Sequence, residues 1–172
     1  MAALEKLITF TGEKPTIDEG DIDAVVGKTR EETVFNLTAA LAEKNLPAGL
    51  AILRDLLDQG DHPLMILAMF AREIRILLQA KLLLETGTLA AYQAGMDYGR
   101  FQKALFPEIK QRLGSATPHP YVIYQALGHA GRFPRESLIH HLDRLVDIDL
   151  ALKSTSKDAR LMLERFLVQV CG

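Results

Sequence analysis

Several residue types are scarce in this 172-residue chain. It contains no tryptophan and a single cysteine, and aromatic residues make up only 6% of it. Because aromatic side chains are enriched in β-strands, their scarcity favours aliphatic packing between helices over a β-sandwich. The lone Cys171 has no partner for an internal disulfide, and the first residues do not have the pattern of a secretory signal peptide. We therefore expect a reducing, cytoplasmic environment.

Long hydrophobic runs and an excess of one charge are also lacking. The longest apolar stretch, Leu64 to Phe70, ends just before Arg72, whereas a membrane-spanning helix needs about 20 such residues. No membrane association is predicted. The formal net charge of −2 argues against a dominant basic surface for nucleic acids, although a small local patch is compatible with it.

The apolar residues that are present follow a helical period. Their 48% share is enough for a core, and no alternating strand pattern or internal repeat accompanies them. The longest predicted helix has an inward stripe of Ile66, Met69, Phe70, Ile74, Leu77, Leu78, Lys81 and Leu84. The spacing predicts helices over residues 31–43, 45–59, 63–86, 89–96, 100–113, 120–130, 134–154 and 157–170. Pro107 should break the fifth of these. The predicted class is all-α.

The first residues indicate the end of another element. Leu4 to Phe10 has helical spacing without a capping residue before it, so we expect the chain to begin inside a longer helix. Asp18 is a plausible N-cap for a short helix that carries Ile22, Val25 and Val26. Gly27 would end that helix.

Gly27-Lys28-Thr29 is the only fragment that suggests a phosphate-binding loop. The full pattern needs a glycine five residues before Gly27, and that position is Ile22. It also needs a buried strand in front, where an amphipathic helix is predicted. We therefore interpret the fragment as the end of a helix, and no nucleotide or other cofactor is predicted.

The histidines do not form a metal-ligand pattern. His140 and His141 are adjacent, about 100° apart on a helix, so their rings should diverge, and no nearby cluster completes a ligand set. We predict no metal. His62 and His119 each precede a proline at a helix start, which is typical of structural roles. Cys171 has no basic neighbour in sequence and should be unreactive.

Asp143 and Asp147 are the one pair that could support catalysis. They lie four residues apart and share a helix face, as a two-carboxylate mechanism requires. Solvent and Arg144 should keep both ionised, whereas a general acid needs a buried carboxyl group. No catalytic residue is predicted. Asp149 and Lys153 are expected to form an i,i+4 ion pair.

Arg72 and Arg75 are three residues apart on the longest predicted helix. They form either the polar margin of a buried helix or a small basic edge that contacts a partner protein, for which arginine is well suited. These two residues are the only candidate interface positions that the pattern indicates.

Several landmarks occur in a characteristic order along the chain. They are Phe35 to Leu41, Ala48 to Leu53, Ile66-Leu67-Ala68-Met69-Phe70-Ala71-Arg72-Glu73-Ile74-Arg75, His119-Pro120, Gly131-Arg132-Phe133, Asp149 to Lys153 and Leu163-Glu164. Each is a weak helix-packing motif, but their joint order resembles the C-terminal region of bacterial DNA polymerase III delta subunits, which belong to the sliding-clamp loader. The resemblance extends over nearly the whole chain.

The resemblance implies a fold and a role. Residues 1–28 would be the end of an AAA+ lid domain, and residues 29–172 would form the helical collar through which clamp-loader subunits assemble into a pentamer. The partners would be the gamma/tau and delta-prime subunits, with the sliding clamp and primed DNA reached through the parent complex. The AAA+ domain itself would be missing. The collar would have no ATP or catalytic site, although the parent assembly is a nucleotidyltransferase.

Two alternatives to this interpretation remain. One is a standalone helical adaptor that matches the family only through shared helix packing. The other is a small enzyme that uses Asp143 and Asp147. The segment from Arg100 to Thr117 departs from the family pattern, since it contains Pro107 and additional residues.

Overall fold

The computed structural model describes residues 8–9, 16, 30–87, 89–154 and 157–172. The described residues form eight α-helices and one short 3-10 helix, with no strand among them, which confirms the all-α prediction. The helices are α1 (Arg30–Ala42), α2 (Leu46–Asp58), α3 (Pro63–Glu85), α4 (Tyr98–Ala104), α5 (Phe106–Leu113), α6 (Pro120–Ala130), α7 (Arg135–Ser154) and α8 (Ala159–Cys171).

The chain divides into two compact units, residues 1–36 and 37–172. In the first unit, the described residues are Ile8, Thr9, Thr16 and the start of α1. Ile8 and Thr9 are helical; the rest of the predicted helix around them, the helix after Asp18 and the Gly27-Lys28-Thr29 fragment lie outside the described residues. The second unit contains the rest of α1 and all the other helices.

Helix starts follow local side-chain chemistry. The Asn45 side chain accepts a hydrogen bond from the Ala48 amide at 3.2 Å and caps α2. His62 and His119 do the same through Nδ1, for the amides of Leu64 at 3.2 Å and Tyr121 at 3.3 Å. Both histidines precede a proline, which suits the first helical position because it needs no amide hydrogen there. The structural role predicted for these two histidines is confirmed.

Helix α3 is the centre of the second unit. Helices α6, α7 and α8 all pack against it, and α2 packs on α8. Phe70 of α3 meets Phe166 of α8 with ring centroids 5.4 Å apart, and both rings are buried. Eight α3 side chains are buried: Ile66, Leu67, Phe70, Ile74, Ile76, Leu77, Ala80 and Leu83.

The burial of α3 is broader than the predicted stripe. Met69, Leu78, Lys81 and Leu84 are only partly buried, whereas Leu67, Ile76 and Leu83 are buried. A single amphipathic stripe assumes one packing partner, but α3 has three. Which residues of α3 are buried therefore depends on these three neighbours, and the helical period of the sequence does not reveal them.

The segment between α3 and α6 corrects one prediction and confirms another. Residues 89–96 form turns, not the predicted helix; Gly95 has φ +84°, and Leu89 and Met96 are anchored in the core. The next helix begins earlier than predicted because the Asp97 side chain accepts a hydrogen bond from the Arg100 amide at 2.9 Å. The predicted break occurs at Leu105, two residues before Pro107.

Candidate partner-binding surface

A groove runs between helices α3 and α7 at the surface of the second unit, where the two packed helices leave a depression. It has a volume of about 420 Å³, and we call it the α3–α7 groove. Its lining is mostly aliphatic, with one cation and one anion. The lining residues are Leu64, Leu67, Ala68, Ala71, Arg75, Leu142, Leu145, Val146 and Asp149.

Helix α7 has apolar residues on two faces. Leu138, Leu145 and Ile148 point into the core. On the other face, Val146 and Leu150 expose 58% and 60% of their surface, and Ile139 exposes 45%. These exposed residues are seven and four positions apart, so they share one side of the helix. An aliphatic face of this kind beside a groove is typical of a protein interaction surface.

The two arginines predicted as interface residues lie on the exposed side of α3. Both are exposed, and neither forms an ion pair with any residue that the structure describes. Arg75 lines the α3–α7 groove, whereas Arg72 does not. Across the groove, Asp149 is bound to Lys153 at 2.7 Å, which confirms the predicted i,i+4 pair. The Arg75 guanidinium is therefore available to an acidic partner.

Glu73 lies between these arginines and points the other way. Its spacing from Ile66, Phe70, Leu77 and Ala80 places it along the buried stripe of α3, where it is partly buried. Burial raises the pKa of its carboxyl group from 4.5 to about 7, while the nearby charge of Arg72 acts in the opposite direction. The sequence pattern gave no reason to single out this residue, because a glutamate between two arginines resembles an ordinary polar helix face.

The two adjacent histidines diverge as predicted. His140 is exposed, while His141 is buried against the edge of Phe166 at a ring-centroid distance of 6.1 Å. The His141 Nδ1 atom has no hydrogen-bond partner among the residues that the structure describes. Burial lowers the pKa of His141, and the charges of His140 and Lys44 lower it further. Because burial disfavours its charged form, His141 is a neutral side chain that packs against its neighbours.

The predicted catalytic alternative finds no support in its surroundings. Asp147 is exposed and pairs with Arg144 at 3.1 Å, and Asp143 is also exposed. Neither residue lines the α3–α7 groove. Among residues 30–87, 89–154 and 157–172, no group of three His, Cys, Asp or Glu side chains could hold a metal ion.

Comparison with known proteins identifies the fold and its relatives. The family model of the DNA polymerase III delta subunit, C-terminal domain, matches residues 31–105 and 107–170. The chain belongs to this family. The resemblance inferred from the ordered landmarks is thus confirmed.

Two relatives of this delta-family chain come from Bacillus subtilis. The DNA polymerase III subunit delta of strain 168 is 29% identical over 167 residues, which cover 97% of this chain and 43% of that protein. The solved structure of the DNA clamp loader delta protein superposes with a TM-score of 0.66 at 28% identity, covering 98% of this chain and 44% of that one. The chain thus spans less than half the length of the relatives it matches.

The C-terminal end of the delta-family chain differs from one expectation. Burial raises the pKa of the Cys171 thiol, and the positive charge of Lys44, a basic neighbour that was not expected, acts in the opposite direction. Lys44 comes from the turn after α1, which no local sequence pattern places near the C-terminus. Burial is the larger influence and raises the pKa of the thiol overall. The thiolate form is therefore disfavoured, in keeping with the predicted low reactivity.

In the part of the delta-family chain that the structure describes, no helix is both long and apolar enough to cross a membrane.

Proposed function

We propose that this chain is the collar portion of a clamp-loader delta subunit. In this proposal, residues 29–172 form the collar, residues 1–28 are the end of an AAA+ lid domain, and the whole acts in the cytoplasm. The collar holds neighbouring subunits in register and has no catalytic or ATP site of its own. Family membership and the fold support this assignment.

The observation that carries the assembly role is the exposed aliphatic face of α7. Val146, Leu150 and Ile139 lie beside the α3–α7 groove, although the same helix already buries a complete inner face. Leaving these side chains in water forgoes about 25 cal/mol for every Å² of apolar surface. A partner that covers the groove recovers this free energy.

The proposed partners are the gamma/tau and delta-prime subunits. A stable contact with either would bury about 800 Å² on each side, with an apolar centre and a polar rim. Arg75 at the rim, with Arg72 one turn away, would pair with acidic groups of the neighbour. The sliding clamp and primed DNA would be reached through the complete assembly.

Mixing experiments test this role. The chain, alone and joined to the N-terminal portion of a delta subunit, is combined with gamma/tau and delta-prime, and the mass is measured by light scattering. We expect a stable complex that contains one copy of the chain. If neither form of the chain enters a complex, the proposed function is wrong and a standalone adaptor becomes the better interpretation.

A further inference from the structure

A second groove lies on the opposite side of α7. It is bounded by α2, α7 and α8 and has a volume of about 700 Å³; we call it the α8 groove. Its lining combines aliphatic and aromatic side chains with several charged ones. The lining includes Arg144, Ile148, Leu161, Glu164, Arg165 and Val168.

Helix α8 presents a second exposed stripe to this groove. Leu161 and Val168 expose 46% and 48% of their surface. They are seven residues apart, and exposed Arg165 lies between them at i+4, so all three share one face over two helical turns. The order along the groove is apolar, basic, apolar. With a rise of 1.5 Å per residue, this face extends over about 10 Å.

The charges at the α8 groove are predominantly positive. The lining contains three cationic residues, Arg144, Lys157 and Arg165, and one anionic residue, Glu164. Glu164 is already bound by Arg54 at 2.9 Å, and Arg144 by Asp147 at 3.1 Å. Arg165 forms no ion pair with any described residue. The groove therefore has an unneutralised cation at the centre of an apolar stripe.

We infer that the α8 groove binds an amphipathic helix of a second neighbouring subunit, with an acidic residue opposite Arg165. This inference rests on the proposed function. Apolar anchors seven residues apart fit a helix whose own anchors follow the same spacing. An acidic residue midway between those anchors would pair with Arg165, where the surrounding aliphatic groups exclude water and strengthen the pair.

The position of the two grooves supports two different partners. Leu142 and Val146 of α7 line the α3–α7 groove, while Arg144 and Ile148 line the α8 groove. A subunit in a ring contacts one neighbour on each side through unlike surfaces. DNA is a poorer fit for the α8 groove, because phosphate binding uses polar and basic groups and leaves Leu161 and Val168 without a role.

Photo-crosslinking identifies the occupant directly. p-Benzoyl-phenylalanine replaces Leu161 or Val168 in the chain joined to its N-terminal portion, and Gln102 on α4 serves as the control position. Each variant is mixed with gamma/tau, delta-prime and primed DNA, irradiated, and analysed by mass spectrometry. We expect positions 161 and 168 to crosslink to one helical segment of a neighbouring subunit that carries an acidic residue. Position 102 should not crosslink to that segment.

Charge reversal tests the pairing. Arg165→Glu should weaken assembly about tenfold. Arg100→Glu should leave it unchanged, because Arg100 is an exposed cation on α4 that forms no ion pair with any described residue. If a complex forms but crosslinks reach DNA, a second copy of this chain, a segment without acidic residues or nothing, the inference is wrong and the proposed function stands. An unaffected Arg165→Glu variant also overturns it. If no complex forms, both proposals fail.

Discussion

Helices α3 and α7 are the two longest helices described and lie side by side, but they differ in how many of their apolar side chains are buried. Helix α3 buries eight residues, and Leu82 is its only large apolar side chain that is exposed. Helix α7 buries three apolar residues and His141, and it exposes three large aliphatic residues. Since both helices pack in the same core, the difference is one of exposure: α3 buries nearly all of its large apolar side chains, whereas α7 keeps an aliphatic face in solvent, where we propose that a partner binds.

The two helices also hold ionisable groups of opposite type, Glu73 partly buried and His141 buried. Glu73 of α3 has a raised pKa, and His141 of α7 has a lowered one, in both cases chiefly through burial. Each group is therefore held towards its neutral form. The stability that Glu73 contributes is therefore lost as the pH rises from 4.5 through 7, and His141 lowers the stability as the pH falls below its ordinary pKa of 6.5, where the unfolded chain binds a proton more readily.

The largest expected effect comes from the core of α3. Phe70→Ala removes a buried ring that contacts Phe166 and leaves a cavity, so it should lower the free energy of unfolding by about 3–5 kcal/mol. Val146→Ala on the exposed face of α7 should change it by about 0.5 kcal/mol or less. Urea denaturation followed by circular dichroism measures both. If the two variants lost similar amounts of unfolding free energy, the contrast between a buried α3 face and an exposed α7 face would be wrong.

Glu73→Gln should stabilise the chain at alkaline pH. Because the folded-state pKa of about 7 is above the unfolded value of 4.5, the carboxyl group favours folding below pH 4.5. This contribution is lost as the pH rises through 7. Between pH 4 and pH 9, the stability of the variant relative to that of the wild type should therefore rise by up to about 3 kcal/mol.

The control for this prediction is Asp147→Asn, an exposed carboxylate on α7. Its stability difference from the wild type should stay nearly constant between pH 5 and pH 9. His141 titrates equally in all three proteins, so it cancels in the comparison. A Glu73→Gln difference that does not change with pH would show that the Glu73 side chain is solvated.

Two carboxylates on the outer face of α7 should block assembly without unfolding the chain. Val146→Asp combined with Leu150→Asp should weaken binding to the other clamp-loader subunits about 10- to 100-fold, or about 1.4–2.8 kcal/mol. The matched control, Gln102→Asp with Gln111→Asp, adds the same charge to exposed positions of α4 and α5. Sedimentation velocity at several concentrations measures the effect. Equal affinities for the two double variants would rule out this face as the interface.

The smallest expected effect concerns the arginines of α3. Arg75→Glu should reduce assembly about fivefold to tenfold, because Arg75 lines the α3–α7 groove, or by about 1 kcal/mol. Arg72→Glu should have a weaker effect, because that residue lies outside the lining. The loss should shrink in high salt, where exposed charges are screened. An equal effect of both substitutions would indicate general charge repulsion.

Elements controlled by local chemistry could be predicted from the sequence. Pro63 and Gly87 bound α3, His119 caps α6, and Pro107 separates α4 from α5, since each effect acts within one helical turn. The turns at residues 89–96 could not be predicted, because their apolar residues have helical spacing. Buried Leu89 and Met96 anchor these turns through tertiary contacts.

The candidate site was only partly predictable for the same reason. Arg75, which lines the α3–α7 groove, could be predicted as a candidate interface residue because paired arginines on one helix are visible in the sequence. The apolar residues of α7 were not, because a helix with aliphatic residues on two faces looks like a buried helix until its neighbours are known. Lys44 beside Cys171 likewise depends on two segments that are distant in sequence.

Hydroxyl-radical footprinting of individual side chains, with and without the other clamp-loader subunits, tests the central claim most directly. In the free chain we expect Val146 and Leu150 to be oxidised readily, while Phe70 and Leu77 are protected. On assembly, Val146 and Leu150 should become protected as well, and the α3 pair should not change. If both α7 residues remain equally reactive in a complex confirmed by its mass, their exposed face is not where the neighbour binds.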